Sequence, residues 1–516
     1  MTPQRTTCLD CGRHLRADYT NRRTIATLAG VTRLNLTIRR CRNDRCPAVR
    51  TPYRPEAEGH FALPRHEFGF DVLALVGRLR YREHRSVPEI RTHLVGRGVA
   101  VAERTVLNLL DRYDELLAVA LTDDRRLRAV LAGQKRVVLG IDGLQPDVGH
   151  EVLWVVRDCL SGEILAAKAL LSARRKDLIG WLEDVKRACP VPVAGIVSDG
   201  QRTIRQAVAA VFGGVPYQLC QFHYLREAAR PIYEADRHAK KELKKKVRGV
   251  RAIERRVENQ AGAEAEAVRG YCSAVRSALT DDGRPPLEAS GLKLHERLTT
   301  INASLERAAA KGGSRSKLTS LRGMVSRALA ATAVMWPPIR LAFGWVHQAA
   351  HLLGQDGSSG DRVRRQLSGL LGAMTRHRLS AGPLASGVDH FVKVSRSYWP
   401  GLFACYDTAD LPRTNNDLEQ AFGSHRYHER RASGRRGASP SLVLRGSAKL
   451  LAGLATRRQD VTAEQLSGAN RAAWQAKRAE LEQRRERRTD RWRFRRDPAA
   501  YLRDLEDKLN QSRLRS

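Results

Sequence analysis

At 516 residues, with 91 Lys and Arg against 55 Asp and Glu, the chain carries a formal net charge of +36, with length for three or four domains and a charge that calls for a polyanionic partner. No run of about 18 apolar residues is present, which excludes a membrane-spanning helix, and the opening MTPQRTTCLDCG lacks the apolar core of a signal peptide. Of nine cysteines, an odd number, four fall within the first 46 residues and the rest are scattered, which argues against a disulfide framework and makes the reducing cytoplasm the expected location.

Residues 1–60 carry Cys8-x2-Cys11 and Cys41-x4-Cys46 around two strand candidates, RTIATL and LNLTIRR, the second with Leu34, Leu36 and Ile38 alternating. A hairpin between two cysteine knuckles is how a zinc ribbon gathers four thiolates into a tetrahedron. The expectation is Zn2+ on Cys8, Cys11, Cys41 and Cys46. His14 is a substitute ligand, and a small metal-free hairpin is the competing reading.

Residues 61–132 read as helical. In SVPEIRTHLVGRGVAVAERTVLNLLDRY a helix from Val87 to Leu94, a glycine-bearing turn and a helix opening near Ala102 form a helix-turn-helix. Its inner face is Ile90, Leu94, Val99, Val106 and Leu110. The second helix then presents Glu103, Arg104 and Asn108 outward, where a recognition helix meets base edges. An ordinary helical hairpin is the plainer alternative.

Between 133 and 224 the hydrophobic period changes. KRVVLGID, EVLWVVRD and EILAAKAL are strand candidates, followed by the helix RRKDLIGWLEDVKRA, the strand VPVAGIVSD, the helix QRTIRQAVAAVF and the strand VPYQLC. Three strands, helix, strand, helix, strand is the order of an RNase H-like α/β core with a mixed sheet. Residues 225–405 lose strand character and read as long helices over about 226–279, 288–310, 316–335, 338–354, 360–378 and 388–405. Within the first, Leu243, Val247, Val250 and Val257 lie close to a coiled-coil seam. That helix is either packed on one stripe or a basic rod lying along DNA or pairing two subunits. Trp336, Trp345 and Trp399 are core or interface residues, with stacking on an unpaired base as the alternative.

Residues 406–456 are expected to close the core. HRYHERRASGRRG supplies Arg426, Arg430, Arg431, Arg435 and Arg436 as phosphate-contacting candidates. Residues 457–516 read as a basic helical tail, either a flexible DNA-contacting segment or a solvated helix.

Asp142 ends RVVLGID, Asp199 ends VAGIVSD, and Glu419 lies in TNNDLEQAF. A carboxylate at the tip of a buried strand is held rigidly yet faces solvent. Two such tips and a third acid from a helix can hold two divalent ions roughly 4 Å apart, astride a phosphodiester. Magnesium, or manganese, suits such oxygen ligands. Nearby acids compete. Asp142 outranks Asp147 because it directly ends an apolar strand, and Asp158 reads as a turn residue. Asp417 and Glu429 compete near the third acid, and Glu419 outranks Asp417 because Leu418 and Phe422 define a buried helix side next to it. The long gap before Glu419 requires that 225–400 be an insertion into the core.

The run SDGQRTIRQAV…VPYQLCQFHYLRE, with Cys220 and His223 as a Cys-x2-His pair, resembles the second-acid region of Mutator-like transposases and related bacterial insertion-sequence transposases. WPGLFACYDTADLPRTNNDLEQAFGSHRYHERRASGRR resembles the segment bearing their catalytic glutamate, with Thr414, Asn415, Asn416, Leu418 and Glu419 as its TNN-x-LE signature. The resemblance covers most of the chain and implies a DDE transposase with an all-helical insertion. It also implies magnesium-dependent hydrolysis at transposon ends, followed by strand transfer into target DNA. The expected partners are double-stranded DNA, as terminal inverted repeats and target, and a second copy of the chain in a homodimer or larger assembly. The setting would be the bacterial cytoplasm, with the nucleoid. Cys220 and His223 either buttress the site or, for His223, touch the DNA. Two other functions stay open: a domesticated DNA-binding regulator without catalysis, and an RNase H-fold nuclease that cleaves without joining.

Overall fold

The structure, a computed structural model, describes the chain except residues 146–150, 171–173, 281, 311–315, 436–438 and 514–516. Asp147 and Arg436 therefore lie outside the described residues. The fold is mixed α/β and divides into two compact units. One comprises Met1–Ala194, Thr203–Gly214 and Asn416–Ser516, and the other Gly195–Arg202 and Val215–Asn415.

The first unit opens with an antiparallel hairpin, β1 (Arg16–Thr27) and β2 (Gly30–Arg40). Alternation carries Ile25, Leu34, Leu36 and Ile38 to its buried face. Four helices follow: α1 (Phe70–Tyr81), α2 (Val87–Gly96), α3 (Glu103–Leu121) and α4 (Asp124–Ala132). A reciprocal capping box between Ser86 and Glu89 starts α2. Gly98, at φ +80°, makes the turn toward α3. Ile90, Leu94, Val99, Val106 and Leu110, the inner face expected of α2 and α3, are all buried. The α1–α3 crossing is close enough that a side chain on Gly77 would meet the Tyr113 ring.

A meander of β3 (Val137–Leu144), β4 (Val152–Asp158) and β5 (Ile164–Leu170) comes next, antiparallel throughout. Then follow α5 (Arg175–Ala188), β6 (Val193–Ser198) and α6 (Arg202–Val211). Along β6 the chain passes into the second unit, where β7 (Tyr217–Leu219) runs parallel to it, Ile196 opposite Tyr217 and Ser198 opposite Leu219. The five strands form one mixed sheet in the order β5-β4-β3-β6-β7.

The rest of the second unit is helical: α7 (Gln221–Ala228), α8 (Arg230–Lys246), α9 (Val250–Arg255), α10 (Ala263–Thr280), α11 (Ser290–Ala310), α12 (Ser316–Ala330), α13 (Trp336–Leu353), α14 (Gly360–Arg376), α15 (Ala385–Tyr398) and α16 (Ala404–Asp407). The single helix expected over 226–279 is broken three times. The last break passes through Gly262 at φ +110°, which no α-helix accommodates. Leu243, Val247, Val250 and Val257 are buried in this unit's own core, together with Trp336 and Trp345, and Trp399 packs against it. The coiled-coil seam is thus an internal face.

The chain then re-enters the first unit as α17 (Asn416–Ser433), α18 (Pro440–Arg458), α19 (Ala463–Ser467), α20 (Arg471–Arg496) and α21 (Pro498–Arg513). The expected tail is only partly one. Trp474 and Leu481 are buried in the first unit's core, and the Trp474 indole donates to Glu115 Oε2 at 2.9 Å. Among the described residues no single helix is long and apolar enough to cross a membrane.

Candidate functional site

The four cysteines of the hairpin knuckles come together. Cys8 Sγ lies 3.8 Å from Cys46 Sγ and Cys11 Sγ 3.5 Å from Cys41 Sγ. All four sulfurs are within 4.8 Å of one another, the one such group of metal-type ligands among the described residues. Four thiolates on a tetrahedral ion with Zn–S of about 2.3 Å stand about 3.8 Å apart, so the cluster is close enough to bind a metal ion such as zinc. The sulfurs are free thiols, not disulfides. The Tyr53 hydroxyl, 3.5 Å from Cys8 Sγ, and neighbouring backbone N–H groups pull the Cys8 thiol down to about 6, whereas burial pushes Cys46 up to about 12. His14 is not part of the group.

Asp142 is not at a strand tip. β3 continues through Gly143 and Leu144, which still pair with Trp154 and Leu153, so Asp142 sits inside the ladder opposite Val155. Gly143 does not end the strand; it admits the neighbouring indole, since a Cβ there would lie 3.1 Å from Trp154. Asp142 is buried, and its Oδ1 accepts the Gly143 N–H at 2.8 Å.

Glu419 lies in the first turn of α17, half-buried. Leu418 and Phe422 are buried in one core with Leu144, Leu153, Val155 and Ile164, and α17 packs against β3. Asp417, the nearest competitor, is bound instead by Arg157 of β4 at 2.9 Å. Glu429 is buried and paired with Lys449 at 3.0 Å. Asp158 is the turn residue expected, accepting from Val138 N, Ser161 N, Ser161 Oγ and Gln134 Nε2.

In the second unit Asp199 directly follows β6, and its Oδ1 accepts the Gln201 N–H at 3.1 Å. Ser198 before it is fixed by the Tyr217 hydroxyl at 2.6 Å. Gly200 after it tolerates no side chain, because a Cβ would overlap the Tyr398 phenol. Cys220 is fully buried, and its sulfur accepts the Asn415 N–H at 3.4 Å. The Gln221 N–H donates to Arg413 O at 3.0 Å. Cys220 thus holds the TNN segment just before α17. His223 is half-buried in the first turn of α7.

Arg104 and Asn108 are exposed on α3, as are Arg426, Arg430 and Arg431 on α17 and Arg435 just beyond it. Arg431 pairs with Glu89 at 3.0 Å, which ties the end of α17 to the start of α2.

A buried charged cluster joins α1, α3, α17 and α18. Arg445 reaches Asp114 and Glu115 at 3.4 Å, and the Tyr81 hydroxyl donates to Asp114 at 2.6 Å. Arg80 donates to Ala432 O at 3.1 Å, and His84 Nδ1 lies 3.1 Å from His428 Nδ1. Sequence reasoning missed this cluster, although its trace was there: Leu418, Phe422, His425 and Glu429 continue one heptad stripe, and all four are buried. No protein-family model matches the chain, and no curated protein matches it.

Proposed function

We propose that this chain is a DDE-type transposase, binding transposon-end DNA and catalysing metal-dependent strand cleavage and strand transfer on an RNase H-like core. The observation that carries this reading is the packing of α17, which bears Glu419, against β3, which bears Asp142, after a helical block nearly two hundred residues long. The order of elements supports it too: a three-stranded meander, helix, strand, helix and parallel strand.

In this reading Asp142, Asp199 and Glu419 supply the oxygen donors. Magnesium held by them would stabilise the charge building on the scissile phosphate and lower the pKa of the attacking water. The rest of the chain orients these donors. The β3–β4 ladder fixes Asp142, the Arg157–Asp417 pair sets the first turn of α17, and the Tyr217–Ser198 bond fixes the backbone leading to Asp199. Exposed Arg104 and Asn108 on α3 would read base edges.

An end-labelled duplex incubated with magnesium tests the proposal. Asp142→Ala, Asp199→Ala and Glu419→Ala should each abolish nicking while leaving DNA affinity nearly unchanged. A regulator would shift the duplex without nicking it. A nuclease would give no joined product from pre-cleaved ends and a plasmid target. Normal cutting by Asp199→Ala would remove the assignment.

A further inference from the structure

A groove of about 1450 Å³ runs between the hairpin, the 64–68 loop, the turn before α3 and the first half of α20. We infer that this groove holds the phosphate backbone of duplex DNA beside the bases presented to α3, which makes α20 part of the DNA-binding surface. The inference rests on the DNA-binding reading above and adds where the backbone runs.

Three observations carry it. First, the charge is arranged, not merely abundant. Arg23 and Arg54 on the groove wall are bound to buried Glu58, at 2.6 and 2.7 Å. Arg22, Arg65 and Arg478 line the same groove, exposed, with no carboxylate partner among the described residues. Glu67 and Glu482 also line it, so the walls keep a net positive charge.

Second, the loop bearing Arg65 is built to hold an unfavourable shape. Arg65 sits at φ +60°, a conformation that costs a non-glycine residue free energy and persists where surrounding structure over-determines it. Here Arg23, fixed by Glu58, donates to Leu63 O at 2.5 Å and also to His66 O, clamping the carbonyls on both sides of Arg65. The guanidinium is thereby presented to the groove from an ordered backbone.

Third, the groove borders the recognition element. Gly98 and Ala100 of the α2–α3 turn are part of its wall, and Arg104 lies in the first turn of α3. In helix-turn-helix docking, the elements flanking the recognition helix meet the phosphates. Opposite, Arg478 stacks over the Trp474 ring at 5.7 Å, and the buried indole fixes α20 to Glu115 of α3.

The test is the salt dependence of binding to a 30-base-pair duplex of random sequence, compared with single-stranded RNA of the same length. Each phosphate contact removed should lower the slope of log K against log salt by about 0.9. Arg478→Ala should therefore lose about 0.9 from the slope, and the Arg22→Ala, Arg65→Ala, Arg478→Ala triple variant about 2.7, on duplex of any sequence. Thermal melting of Arg22→Ala and Arg65→Ala should match the parent, since neither has an ion-pair partner among the described residues, and Arg478→Ala should lose no more than the small contribution of its stacking on Trp474. Arg104→Ala with Asn108→Ala should change sequence preference instead. An unchanged slope in Arg478→Ala would show that α20 takes no part and overturn the inference while the DNA-binding reading stands. Failure of the unaltered chain to bind duplex would overturn both. Tighter binding to RNA than to duplex, with the same arginine dependence, would overturn the choice of duplex DNA.

Discussion

Lys449 Nζ and Glu429 Oε1 stand 3.0 Å apart between α18 and α17, both nearly closed to solvent. A buried pair of this kind is far more sensitive to loss of one partner than to replacement of both, because the survivor is left charged in a medium of low polarity. Lys449→Met should therefore lower stability by about 3–5 kcal/mol. The Lys449→Met, Glu429→Leu double variant should recover most of that. Urea unfolding of the three proteins checks the order; a double variant no better than the single would contradict it.

Acid should destabilise the same region through its histidines. Burial, with Arg457 and Lys449 nearby, holds His425 down to about 3, and burial with Arg80 and His425 depresses His428 further still. Burial first, then Arg112, holds His66 down to about 4. Between pH 6.5 and about 4 the unfolded chain binds protons that these folded histidines refuse, so they lower stability as pH falls, offset in part by Asp114, whose carboxyl burial raises to about 6. The slope is about 1.4 kcal/mol per pH unit for each such histidine. Glu429, held below the usual carboxylate range by Lys449 despite its burial, adds a loss only below its unfolded range near 4.5. Melting curves from pH 7 to 4 should show the decline starting near 6.5, and His425→Gln should make it shallower.

Gly77→Ala tests which of two effects wins. An exposed helical glycine gains about 1 kcal/mol on becoming alanine. At Gly77, however, the new Cβ would sit 2.1 Å from Tyr113 Cζ, and forcing a methyl into packed aromatic surface costs about 1–3 kcal/mol. The substitution should lower the melting temperature, and a rise would mean that the α1–α3 crossing yields easily.

Zinc should copurify at about one ion per chain, as expected for a closed four-thiolate site. Cys41→Ser should lose it on elemental analysis. If metal content did not differ between the two proteins, the cluster would not be the metal centre.

Local patterns foretold much of this architecture. The alternation of Leu34, Leu36 and Ile38 gave β2, and the spacing from Ile90 to Leu110 gave the buried faces of α2 and α3. Leu418 and Phe422 indicated which side of α17 is buried. What escaped was set by distant partners. Asp142 looked like a strand end because the pairing that carries β3 on through Gly143 and Leu144 depends on the next strand. The final helices looked unanchored because α20 buries only Trp474 and Leu481, and the indole's acceptor is Glu115, 359 residues away. The role of Asp114 and Glu115 is likewise set from afar, by Arg445 of α18.

The helical block leaves through the door by which it enters. Cys220 and Asn415, 195 residues apart, are joined by a hydrogen bond, and Gln221 and Arg413 are joined beside them. A module whose two ends are stitched together imposes one closure cost, which grows only with the logarithm of its length. Helices could thus be added or removed inside it over evolutionary time without altering the span between its attachment points, leaving the strands and α17 indifferent to its size.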